Sequence, residues 1–253
     1  MTGNKRFWPL DSDQAKKFET SAREHEDFLT SLTGRALLLL GLRPNEFVHT
    51  VREWIVRRGA EGRFLYDIQP YEEIVTRDVK CIKGRGAGKQ GNPNGVDMYQ
   101  RGKPCSECRN NGSTNGFEGK TENAPREYPL DKSPEMESIG DDFLWFFEQN
   151  DFIPFSNAGV NTRVRKIAEE AGIGDERGYK TIMRGGREQE VVDISAYDLR
   201  HTYGTRLARM NFTALEIKSM MGHGSLKMPQ KYISFTGVRK GEIVDQKWDP
   251  EVY

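Results

Sequence analysis

The sequence predicts an α+β fold, mostly helical with a small antiparallel β-sheet. Three observations predict it. Apolar residues at helical spacing occupy both ends of the 253-residue chain, short runs rich in aromatic and β-branched residues lie between them, and the stretch at 81–119 holds no sustained period.

Residues 1–9 read as a tail. Asp11 or Ser12 can cap a helix over residues 14–30, a polar stretch with one apolar face. Residues 35–40 read as a buried helix ended by Gly41, and Pro44 suits the first turn of another, which puts Arg43 at the break between two helices. Residues 54–55 and 64–68 are short strand candidates. The Gly-, Asn-, Lys- and Arg-rich stretch 81–119 reads as an insert or long loop, since a compact domain seldom carries so long a structureless connection. Residues 126–130 can close a strand pair with 64–68. Helical patterns follow at 136–149, 162–171, 196–210, 214–221 and 226–233, with no internal repeat.

A chain of this length can bury a sizeable core as one large domain or two small ones. Its 38 basic and 38 acidic residues cancel, so net charge alone gives no sign of a nucleic-acid partner. The distribution is less even: residues 161–240 carry 15 Lys and Arg against 9 Asp and Glu, a basic excess that fits a phosphate-binding face as well as an ordinary solvated one. Three cysteines are too few for a disulfide framework, which makes a reducing compartment the default. The N-terminus has no signal-like apolar stretch, and residues 36–40 are too short to cross a bilayer. The expectation is a soluble, cytoplasmic protein with no membrane partner.

The chemistry-bearing pattern is concentrated near the C-terminus. Arg200 lies in Tyr197-Asp198-Leu199-Arg200-His201-Thr202, and Tyr232 stands nine residues after His223 of a Gly222-His223 pair. Arg43 waits upstream in Gly41-Leu42-Arg43-Pro44-Asn45-Glu46. Two guanidinium groups can each fork hydrogen bonds onto the oxygens of a phosphodiester and offset the charge that builds during its cleavage. A tyrosine beside them can attack phosphorus and hold the broken strand covalently. Taken singly, each element has a plain structural explanation: a surface arginine between helices, a packed amphipathic helix, a buried core tyrosine. Their co-occurrence, in one order and at compatible separations, is what points to chemistry.

With these residues the chain resembles the catalytic domain of the tyrosine recombinases, the phage-type integrases, over residues 10–236. The resemblance implies a mostly helical domain with a small antiparallel sheet. It implies Arg43, Arg200, His223 and Tyr232 as catalytic residues with Glu46 in support. Lys120, in Gly119-Lys120-Thr121-Glu122-Asn123, is the match for a lysine that protonates the leaving 5′-oxygen, and Tyr197 stands where the family usually has a histidine. Positions i and i+3 share a helix face, so Tyr197 can aim where Arg200 aims, although a phenol with a pKa of about 10 is a poor base near neutrality. His201, turned roughly 100° further round the helix, is expected to point elsewhere.

The same resemblance implies site-specific cutting and rejoining of double-stranded DNA through a 3′-phosphotyrosyl intermediate, without metal or nucleotide cofactor. The protein would act as a homotetramer on paired attachment sites, beside the nucleoid or for a virus or plasmid in its host cell. Residues 237–253 are long enough to be exchanged between protomers. Family members usually carry a helical core-binding domain first; only an opening helix fits before Arg43, which leaves three readings: a naturally minimal enzyme, a fragment, or a protein that takes its clamp from an accessory DNA-binding partner. A type IB topoisomerase shares the chemistry but fits the Gly-His and Leu-Arg-His-Thr spacing less well.

The insert holds two more motifs. Gly84-Arg85-Gly86-Ala87-Gly88-Lys89 resembles a phosphate loop, but Gln90 stands where Ser or Thr is needed. Cys105 and Cys108, with Cys81 upstream, resemble a zinc knuckle short of a fourth ligand; they are read as unliganded reduced thiols, the alternative being a zinc site completed by Asp97, Glu107 or water. His25 and His49 are assigned no role. Two rival readings of the whole chain remain: a DNA-binding regulator that kept the catalytic fold without turnover, and a zinc-ribbon interaction module.

Overall fold

The computed structural model describes residues 7–58, 63–68, 83–85, 99–101, 126–130 and 132–236. Helix α1 (Ser12–Glu24) opens with a capping box: Gln14 N donates to Asp11 Oδ1 at 2.9 Å and Asp11 N donates to Gln14 Oε1 at 3.4 Å. Its Ala15, Phe18 and Ala22 recur at helical spacing and are buried. Helix α2 (Phe28–Leu40) begins at a second cap, Asp27, whose carboxylate accepts from Thr30 N. The single helix expected over 14–30 is therefore two, because Asp27 offers the backbone a new start at residues 25–27.

The core forms around α2, which is buried almost all round and packs on α1 and on three later helices: α4 (Pro134–Gln149), α5 (Asn157–Glu170) and α7 (Ala196–Arg209). Gly34 permits the close crossing: a Cβ there would lie 2.5 Å from Ile167 Cδ1. At the end of α2, Gly41 takes the left-handed conformation (φ 59°) and returns its N–H to Leu37 O, as a helix-ending glycine does. Helix α3 (Pro44–Val48) starts at once, with Pro44 in its first turn and Arg43 at its N-cap.

A short 3₁₀ turn (Arg52–Trp54) leads into β1 (Ile55–Arg58), which pairs antiparallel with β2 (Arg63–Ile68). Two further short strands, β3 (Lys83–Arg85) and β4 (Tyr99–Arg101), pair with each other inside the segment read as structureless, which corrects that reading in part. Strand β5 (Arg126–Pro129) pairs with β2 as expected, giving the order β1-β2-β5. Lys120, Cys81, Cys105, Cys108, the phosphate-loop lysine and residues 237–253 lie outside the described residues.

After α5 and the single turn α6 (Gly174–Arg177) comes a hairpin the sequence reading missed, β6 (Tyr179–Arg184) and β7 (Arg187–Val192). Most of its residues are exposed on both faces, so no apolar alternation marks it. Its Gly185-Gly186 turn, with φ of 58° and 78°, was the available signal. Helices α7, α8 (Ala214–Met221) and α9 (Lys227–Phe235) complete the fold close to their expected bounds. Among the described residues no helix is long and apolar enough to cross a membrane.

Candidate active site

Three helix ends and one strand bring the site together. Arg43, at the N-cap of α3, is buried; its N–H donates to Glu46 Oε2 at 2.7 Å, its Nη1 to Glu46 Oε1 at 2.5 Å and its Nη2 to Gly222 O at 2.6 Å. Arg200, on the inward face of α7, donates from Nη1 to Gly41 O at 2.6 Å and from Nη2 to Met221 O. The accepting carbonyls stand at the C-terminal ends of α2 and α8, where helix carbonyls lack partners of their own and the helix dipole is negative. The two left-handed glycines thus do more than end helices. Gly41 presents its carbonyl to one arginine and Gly222 (φ 59°) to the other.

Glu46 lies under both. It is 2% exposed and accepts two hydrogen bonds from Arg126, Nη1 to Oε1 at 3.0 Å and Nη2 to Oε2 at 2.7 Å, with Arg200 Nη1 4.0 Å away. Burial works to raise its pKa, but Arg126, Arg200 and Arg43 outweigh that and hold the carboxyl well below the ordinary range. Burial, then the fields of Arg43 and Arg126, push Arg200 down to about 10 against the opposing pull of Glu46. Three buried guanidinium groups around one buried carboxylate make a positively charged pocket floor. Arg126 was missed as a site residue and read only as part of a strand. Its signal was the alternation of β5: Arg126 and Tyr128 share a face, both are buried, and Arg126 Nε donates to Tyr128 Oη at 2.9 Å.

The Gly222 turn carries the chain straight into His223, whose N–H donates to Lys218 O at 3.0 Å. The His223 ring lies nearly parallel to the Tyr232 ring, at 6.0 Å between centroids. Burial first, then Arg200 and Arg43, push the imidazole down to about 3, so it is neutral near pH 7. Tyr232, in α9, is completely buried. Burial pushes its hydroxyl up to about 12 despite the opposing fields of Arg200 and Arg43. Gly204 on α7 makes room for it: a Cβ there would lie 2.6 Å from Tyr232 Cε2.

One expectation is corrected. His201 does not point away: its Nδ1 lies 3.1 Å from Tyr232 Oη. The roughly 100° separation between Arg200 and His201 is real, but α9 packs close on α7 at Gly204, which brings Tyr232 within reach of His201 while Arg200 lines the same cleft. Residues 7–10 are strapped to α7 by Leu10 N donating to Thr202 Oγ1 at 2.8 Å, and Phe7 packs on His201 and Tyr232 with centroids at 4.9 and 5.6 Å. Tyr197, 37% exposed, sits at the rim.

A cleft of about 290 Å³ gathers Arg43, Tyr197, Arg200, His201, His223 and Tyr232 on its walls. Four of the sequence-assigned catalytic residues and Tyr197 therefore converge, with Glu46 in support beneath. A larger cleft of about 770 Å³, between α1 and α5, is lined by Lys17, Glu24, Glu170 and other side chains of mixed charge, away from the arginines. Among the described residues no cluster of His, Cys, Asp and Glu is arranged to hold a metal ion.

No protein-family model and no curated protein matches the chain. Solved structures of tyrosine recombinases do match over nearly its whole length. XerH site-specific recombinase in a pre-cleavage complex with difH substrate matches with a TM-score of 0.54 at 17% identity, over 98% of this chain and 56% of XerH. XerA recombinase gives 0.51 at 16% identity, over 98% of this chain and 68% of XerA. The Tn1549 transposon integrase bound to transposon right end DNA gives 0.55 at 13% identity, over 96% of this chain and 67% of that one. The chain thus spans about half the length of XerH and about two-thirds of the other two. At these identities the likeness is one of fold, and the fold is that of the recombinase catalytic domain.

Proposed function

We propose that this chain cuts and rejoins DNA strands as a tyrosine site-specific recombinase. The observation that carries the reading is that Tyr232, although buried, lies against the same cleft as Arg43 and Arg200. Each guanidinium has five N–H donors; the carboxylate and helix-end carbonyls engage the Nη groups, and further donors remain to fork onto a phosphate. In this reading Tyr232 Oη attacks the scissile phosphorus and forms a 3′-phosphotyrosyl bond, and the 5′-oxygen departs with a proton from Lys120. His223 serves as a neutral hydrogen-bond donor to a phosphate oxygen and Tyr197 as an additional donor at the rim. No metal or nucleotide is required, because the phosphotyrosyl bond retains the energy for rejoining. The partners in this reading are paired double-stranded attachment sites and three further copies of the chain.

A second reading has its own support. Tyr232 is shielded from water and both arginines are occupied by helix-end carbonyls, as suits a DNA-binding regulator with the recombinase fold. One experiment separates the two. The protein is incubated with nicked duplexes randomised around the nick, and DNA that resists denaturation from the protein is captured and sequenced. Recovery of a defined site by wild type, and of nothing by Tyr232→Phe, is the expected result. Binding without any covalent capture would leave the regulator.

A further inference from the structure

We infer that His201 is the catalytic base that takes the proton from Tyr232, an inference that rests on the strand-cutting reading above. The geometry singles it out. Its Nδ1 lies 3.1 Å from Tyr232 Oη, inside the reach required of a base toward the proton it removes. The other groups near the tyrosine are worse placed or worse suited. The His223 ring lies alongside the Tyr232 ring in a near-parallel stack, and its imidazole, held down to about 3, binds a proton weakly. Tyr197 is a phenol, no stronger as a base than the tyrosine it would deprotonate. Arg43 and Arg200 are cations.

Tyr232 needs such help. Its burial disfavours the phenolate, and a phenol attacking phosphorus at neutral pH must shed its proton as the bond forms. Phe7 packs on the His201 and Tyr232 rings, and the Lys231 ammonium lies 4.5 Å from the Phe7 ring centroid. The required tautomer has Nε2 protonated and Nδ1 bare.

The step balances without any added reagent. The Tyr232 O–H bond breaks and its proton passes to Nδ1, while the oxygen's electron pair forms the new bond to phosphorus. The bond from phosphorus to the 5′-oxygen breaks, and that oxygen leaves with the electron pair and gains a proton from the general acid or water. Rejoining reverses the sequence, with protonated His201 returning its proton to the departing Tyr232.

The charged and titratable groups facing the pair come from several elements. Arg43 precedes α3, Arg200 and Tyr197 lie on α7, His223 follows α8 and Lys231 lies on α9. On the other side of His201, a neighbouring cleft holds Lys180 of β6 with Asp193 and Asp198.

Single-turnover adduct formation on the captured nicked duplex, measured against pH, tests the assignment. His201→Asn keeps a hydrogen-bonding group near the Nδ1 position but removes the base. Its rate should fall by about 10²-fold or more while DNA binding stays as in wild type. Its residual rate should climb tenfold per pH unit where the wild-type rate has levelled off, because hydroxide must then replace the base. In His201→Gly, added imidazole should restore adduct formation, which a variant that merely failed to fold would not show. His201→Asn reacting at the wild-type rate and pH profile would overturn the inference while leaving the strand-cutting reading intact. So would a His201→Gly defect that imidazole leaves unchanged. If wild type gave no adduct with any duplex, the underlying reading would fall and this inference with it.

Discussion

Arg126 and Glu46 meet as a two-bond ion pair in the interior, on side chains 3% and 2% exposed, and join the β-sheet to the helix that carries Arg43. Because Arg43, Arg126 and Arg200 all surround Glu46, its charge holds the cluster together. Replacing Glu46 with Gln would leave buried guanidinium groups without their counter-charge. The expected loss is about 3–5 kcal/mol, as when one partner of a buried pair is removed. Urea unfolding measures it as a lower midpoint at unchanged slope. A shift within about 0.5 kcal/mol of wild type, the range of surface substitutions, would show that the pair is stabilised elsewhere.

Gly204 sets the position of Tyr232. A Cβ at this helix position would come within 2.6 and 2.7 Å of the tyrosine ring and 2.9 Å of Met221 Sδ. Alanine is the better helix former by about 1 kcal/mol, but overpacking costs typically 1–3 kcal/mol and should dominate. Gly204→Ala is expected to lower the melting temperature and to slow adduct formation although Tyr232 is intact. A higher melting temperature would mean that the ring moves aside at little cost.

His223 should shape the acid limb of stability. Its folded pKa, about 3, lies below the ordinary value of about 6.5 that it recovers on unfolding. Between those limits the unfolded chain binds the extra proton, so this contribution is fully present above about pH 6.5 and is lost as pH falls toward 3. The slope is at most about 1.4 kcal/mol per pH unit. His223→Gln removes the titration and should flatten the dependence between pH 6 and 4 in unfolding experiments. Parallel curves for the two proteins would contradict the assignment.

Tyr232 and Tyr197 should separate cleanly in the adduct assay. Tyr232→Phe deletes only the attacking oxygen, so the adduct should vanish while DNA binding survives. Tyr197→Phe removes one rim donor and should slow cleavage while leaving some adduct; Tyr197→His should preserve or raise it. The reverse pattern, with adduct surviving in Tyr232→Phe and lost in Tyr197→Phe, would sink the nucleophile assignment.

Helix ends were legible because their causes are local. Gly41 and Gly222 end α2 and α8 with a backbone conformation that glycine adopts readily, and Pro44 starts α3 where it needs no N–H. The break at residues 25–27 was less visible, because Asp27 competes as a cap inside a stretch whose composition suits a helix throughout. The β6–β7 hairpin escaped because its exposed faces impose no period, although its paired glycines marked the turn.

By itself the sequence singled out the residues proposed for phosphate chemistry: the order and spacing of Arg43, Arg200, His223 and Tyr232 are properties of the chain alone. Only the tertiary structure decided what each of them touches. Glu46 and Arg126 are 80 residues apart, and Arg43 and the Gly222 carbonyl are 179 apart, separations across which no local period carries information. The same is true of His201. Helical geometry turns it away from Arg200, but the close packing of α9 on α7 at Gly204 brings Tyr232 to it. Periodicity tells which face a side chain occupies; the elements that fold against that face decide whether it meets solvent or the hydroxyl of a buried tyrosine.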